Sequence, residues 1–190
     1  MLIAVGALEP APAYAVIPEH VVTSVLRELS PDAGGRAGLD RVFRRLEAEQ
    51  PALADFLAGE LANLETAEAQ TVAYYLFLAV GQAFHAAFGP RVPALSTADL
   101  DHALDVLLAD GEVRSHACRA GSFSQDRVAC LQPALMDAVM GEIDYAYGAL
   151  SVVGPEAGEL ETTTARNEVD PILQVLLVQV VALTRAVSPG

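Results

Sequence analysis

The sequence predicts a mainly helical fold: six to eight helices around a central helix at residues 66–88, with one small wing-like β-hairpin near 112–131. Three observations predict it. Apolar residues recur at i, i+3, i+4 and i+7 spacing in successive segments, the period of a helix with one buried face. The breaks between most of those segments are short and rich in Pro and Gly, which favours helices packed as neighbours. Aromatic residues are only 6% and Trp is absent, while 53% of the chain is hydrophobic. A core made of Leu, Val and Ala favours close helix-on-helix contact.

The central element is TAEAQTVAYYLFLAVGQAFHAAF, residues 66–88. Thr66 is suited to cap its N-terminus, and Glu68 in the first turn suits the helix dipole. Gly89-Pro90 supplies the stop. Val72, Ala73, Leu76, Val80, Ala83, Phe84 and Ala87 share one broad face. The opposite stripe holds Glu68, Thr71, Tyr74, Tyr75, Leu78, Gln82 and His85. That stripe is polar at its tips and apolar in its bodies. Either it forms the half-exposed edge of the core, or Tyr74, Tyr75, Gln82 and His85 line a ligand pocket. The continuous apolar run Val72–Gly81 is about half the roughly 20 residues a membrane span needs, so no membrane association is expected.

Length suits a single domain able to bury its own core. Net charge is −14, from 25 acidic residues against 11 arginines and no lysine. Arg without Lys, beside abundant Ala and Gly, is a coding bias of a GC-rich genome. The acidic balance argues against non-specific nucleic-acid binding, which needs phosphates neutralised by basic side chains. It suits a basic protein partner. The N-terminal residues 1–18 carry three prolines and read as an extended arm. They lack the positive n-region of a signal peptide, and a cytoplasmic setting is expected. Two cysteines are too few for a disulfide framework.

In chain order, Pro18–Leu29 reads as a short amphipathic helix, ended by Ser30-Pro31-Asp32-Ala33-Gly34-Gly35. Gly38–Gln50 carries a Leu39, Val42, Phe43, Leu46 stripe, with Arg41, Arg44 and Arg45 on the other side. Those arginines would grip a phosphate or an acidic partner, or form a solvated face paired with Glu47 and Glu49. Pro51 at N1 opens a helix to about Leu64. Ser96 or Thr97 caps the next one, with Leu100, Ala103, Leu104, Leu107 and Leu108 on one face. Asp110-Gly111 reads as its end.

Helical periodicity then fails over EVRSHACRAGSFSQDRVACLQ, and the Gly121–Gln125 turn region between two short apolar runs is a hairpin signal. Ser96-Thr97, the Leu100–Leu108 stripe, the Asp110–Arg114 exit and the returning segment Asp126–Leu131 resemble the recognition helix and β-wing of winged-helix domains. The resemblance covers about a fifth of the chain. It implies a helix face that enters the DNA major groove, but that face carries Asp99, Asp101 and Asp105, which phosphates would repel. The resemblance therefore implies protein contact rather than DNA reading.

Pro133–Leu150 returns to helix. Residues 154–170 read as a mobile, acidic connector, since loops of that length are uncommon unless functional or mobile. Asp170-Pro171 then reads as a cap and N1 proline for an apolar C-terminal helix over 171–187. A helix apolar all round is either central in the core or shared with another chain.

No phosphate-binding loop with Lys, Rossmann fingerprint, G-x-S-x-G elbow or H-E-x-x-H motif is present. His116, Cys118 and Cys130, with His102 as a fourth ligand, form a set that zinc accepts. Their spacing matches no zinc-knuckle pairing, and two buried cysteines in a hairpin explain them more simply. No metal and no cofactor are therefore expected. Gln82-x-x-His85 has the spacing of a di-iron Glu-x-x-His motif but the wrong first residue. Nothing marks a nucleophile beside His85. The sequence thus points to a non-catalytic interaction or accessory protein that contacts a protein partner, or self-associates as a homodimer, through its C-terminal helix. The alternatives are a small-molecule-binding helical protein or enzyme with a pocket beside helix 66–88, and a winged-helix regulator.

Overall fold

The computed structural model describes residues 8, 10–30, 35–117, 130–151 and 159–189; the side chains of 35, 111–117, 148–151 and 159–168 lie outside that description. The described chain is mainly α, with seven α-helices: α1 (Glu19–Leu29), α2 (Gly35–Glu49), α3 (Pro51–Asn63), α4 (Ala67–Phe88), α5 (Thr97–Ala117), α6 (Pro133–Ser151) and α7 (Glu159–Ala186).

Local chemistry sets the ends. Thr66 caps α4, its Oγ1 accepting the Ala69 N–H at 3.1 Å. Gly89 ends α4 at φ +51°, a backbone region that an L side chain rarely enters. Pro51 begins α3, where its missing N–H removes no helical bond. Ser96 precedes α5 in a reciprocal capping arrangement: its N–H and its hydroxyl both donate to Asp99 Oδ2, at 2.8 and 2.7 Å, and its Oγ accepts the Asp99 N–H at 3.3 Å.

Two helices form the centre. In α4, Leu76, Phe77, Leu78 and Val80 are wholly buried. In α7, every residue from Val175 to Thr184 is buried. α4 and α7 pack on each other; α1, α2, α3 and α6 also rest on α4, and α5 rests on α7. The apolar surface of the C-terminal helix is therefore covered within this chain. Gly81 lets α7 come close: a Cβ there would meet Gln179 Nε2 at 3.4 Å and Leu46 Cδ1 at 3.6 Å. Gln179, fully buried, spends that amide on the Phe77 carbonyl at 3.0 Å.

Ala67–Arg91 and Val169–Ala186 are long and apolar enough to cross a membrane by length and composition, and more than half of each is buried inside the fold. Packing against neighbouring helices accounts for that apolarity.

Four expectations are corrected. The hairpin near 112–131 is not supported: residues 112–117 continue α5, 130 and 131 are helical, and no strand occurs among the described residues. Residues 118–129 lie outside them. Gly111 does not turn left-handed; glycine inside a helix costs about 1 kcal/mol but does not stop it. With no wing over 112–117, the winged-helix resemblance loses its second half. The connector read over 154–170 is helical from 159 onward, and Pro171 lies inside α7 rather than at its start. Proline removes one helical hydrogen bond, a cost that the packed turns after it offset. Residues 152–158 lie outside the described residues.

Candidate functional site

α2 and α4 run side by side, with α3 and the C-terminal end of α7 closing a shallow cleft between them. Its apolar wall includes Leu46, Leu53, Phe84 and Leu183; its polar rim is Arg45, Glu49, Gln50 and His85. It encloses about 40 Å3, room for a few water molecules.

The rim groups answer one another. Arg45 donates from Nη2 to Gln82 Oε1. His85 Nδ1 lies 3.1 Å from Glu49 Oε2, both side chains partly exposed. Gln50 pins the segment after α4: its Nε2 donates to the Pro93 carbonyl at 2.9 Å, and its Oε1 accepts the Leu95 N–H at 2.8 Å. Among the described residues, the cleft lining holds no Ser, Thr or Cys. This arrangement can hydrogen-bond a small polar molecule.

The four residues of the Tyr/Gln/His stripe do not share one site. Gln82 and His85 meet α2 through Arg45 and Glu49. Tyr74 packs against Phe43 of α2 with the rings tilted, centroids 5.8 Å apart. Burial raises its phenol pKa, with Asp40 and Glu47 adding to the shift. Tyr75 turns toward α6; burial, with Glu142 beside it, pushes its pKa up to about 12. Leu78, between them, is wholly buried. A second, open groove of about 330 Å3 lies near the start of α4, between Thr71 and Val72 on one side and Ala146 and Tyr147 on the other.

No cluster of ligating side chains occurs among the described residues. Cys130 is exposed and free, correcting the expectation that it is buried in a hairpin. His102 is exposed on α5. The backbone of His116 is helical, and Cys118 lies outside the described residues.

The outward face of α5 is the other surface of note. Ala98, Asp101, Asp105 and Leu108 follow one another at i, i+3, i+7 and i+10, all exposed. Leu108 is 54% exposed. Asp99 does not belong to that face in function: hydrogen bonds from Ser96 hold its carboxyl below the usual carboxylate range, and it serves as a cap.

Sequence reasoning missed Gln132. It is 1% exposed. Its Oε1 accepts the Ile17 N–H at 2.9 Å, while its Nε2 donates to the Ala15 carbonyl at 2.6 Å and to Thr184 Oγ1 at 3.1 Å. Its partners are 52 or more residues away, so no local pattern marks it.

Compared with protein-family models, curated proteins and solved structures, the chain matches none.

Proposed function

We propose that this chain is a non-catalytic interaction protein whose contact surface is the outward face of α5. The carrying observation is Leu108, 54% exposed one turn beyond Asp105 and in line with Asp101. An exposed leucine beside two carboxylates suits a protein surface with basic groups around an apolar spot, because charge steers approach and apolar contact slows release. The chain's net charge of −14 favours a basic surface on the partner.

Native mass spectrometry of the protein recovered from its source tests this reading. The wild type is expected to carry a protein, and Asp101→Arg/Asp105→Arg is expected to lose it. Retention by that variant overturns the assignment to α5.

A second reading is supported by the pairing of His85 with Glu49 at the rim of the α2–α4 cleft: a small polar ligand held there by hydrogen bonds. His85→Ala would then weaken a co-purifying small molecule while the helical circular-dichroism signal stays unchanged. A wild type that carries no small molecule removes it.

A further inference from the structure

We infer that the outward face of α5 docks against the outward face of α2 in a second copy of this chain. The inference rests on the α5 reading above and names its partner. α2 holds four of the chain's eleven arginines. Arg45 is taken by Gln82, and Glu49 by His85. On the helical wheel Asp40 and Glu47 lie beside Phe43, which packs on Tyr74, to one side of the Arg41 and Arg44 stripe. That leaves Arg36, Arg41 and Arg44 exposed, with no ion pair among the described residues, and of these Arg41 and Arg44 lie on the outward stripe. The same holds for Asp101 and Asp105 on α5.

The two faces match residue by residue. On α2, Ala37, Arg41, Arg44 and Ala48 lie at i, i+4, i+7 and i+11, all exposed. On α5 the stripe is Ala98, Asp101, Asp105 and Leu108. At 1.5 Å per residue the stripes are about 16 and 15 Å long. Each has two like charges in the middle and small or apolar side chains at its ends. Laid together, two arginines meet two aspartates, and Leu108 meets an alanine that leaves it room. Each copy offers both halves: used head to tail the contact builds a ring or an open chain, and used reciprocally it closes a two-fold dimer. Salt screens these exposed Arg–Asp contacts within about 10 Å at 0.1 M, and it also screens the repulsion between two chains of net charge −14, so association is expected near 0.1 M and is lost at high salt.

The test is size-exclusion chromatography with light scattering at about 0.1 M salt, over a range of protein concentrations. Wild type is expected to rise to at least twice the monomer mass and to return to monomer in high salt. Arg41→Glu/Arg44→Glu and Asp101→Arg/Asp105→Arg are each expected to stay monomeric. An equimolar mixture of the two is expected to associate, because the acidic α2 of the first meets the basic α5 of the second. A wild type that is monomeric throughout overturns the inference, and so does a mixture that stays monomeric while wild type associates. If a reversed variant loses helical signal, Arg41→Gln/Arg44→Gln replaces it, and undiminished association there overturns the inference. A monomeric wild type whose α5 variant still loses a different protein removes this inference alone and leaves the α5 reading standing.

Discussion

Gln132 Nε2 donates to Thr184 Oγ1 at 3.1 Å, tying the residue before α6 to the last turn of α7. The same side chain holds Ala15 and Ile17, so one buried amide fastens the N-terminal arm to the C-terminal helix. Replacing it by Leu leaves an N–H, a carbonyl and a hydroxyl without their partner. Each buried group left so costs about 1–3 kcal/mol. Gln132→Leu is expected to lose about 3 kcal/mol in urea denaturation, and Thr184→Val about 1 kcal/mol.

Phe77 is wholly buried at the α4–α7 centre, its ring 6.4 Å from that of Phe56. Phe77→Ala is expected to cost about 3–5 kcal/mol, from lost transfer energy plus the cavity left behind. Leu108→Ala, on the exposed face of α5, is expected to change stability by less than about 0.5 kcal/mol. Chemical denaturation of both variants separates a core residue from a contact residue.

His85 and Glu49 form a partly exposed pair across α2 and α4. Such pairs contribute about 0–1 kcal/mol. Glu49→Gln is therefore expected to leave the denaturation midpoint within that range, and a larger loss would make the pair a structural clasp.

Tyr75 carries a phenol pKa raised to about 12 by burial and by Glu142. In the unfolded chain the phenol ionises near 10. Its contribution to stability is thus full below about pH 10 and is lost as pH rises through 12. Ultraviolet titration should show a tyrosine ionising near pH 12, and Tyr75→Phe should remove that step.

Gly89 ends α4 at φ +51°, and a Cβ there would meet no neighbour. The cost of Gly89→Ala is backbone strain alone, about 1–3 kcal/mol, readable as a lower thermal midpoint.

Helix ends set by adjacent residues were legible in the sequence: Thr66 as a cap, Gly89 as a stop, Pro51 at N1. So was the apolar character of α4 and α7. Two breaks misled. Gly111 and Pro171 carry stop and start signals, yet both lie inside helices, because packing outweighs a local cost of 1 to 3 kcal/mol. The candidate stripe on α4 was legible as a pattern but not as a place. Tyr74 and Gln82 face α2 while Tyr75 faces α6, and that division depends on which helices flank α4. The pairing of Arg45 with Gln82, rather than with Glu49, is likewise a tertiary fact.

The account holds that α4 and α7 spend their apolar surfaces on each other, so contact with other molecules falls to the charged outward helices. Amide hydrogen exchange read by mass spectrometry, in the isolated chain and in its complex, tests this most directly. Residues 172–183 should exchange among the slowest in both states, with new protection on binding confined to residues 97–110 of α5 and to the partner surface. Fast exchange over 172–183 in the isolated chain, slowed only on binding, would contradict the account and make the C-terminal helix the interface.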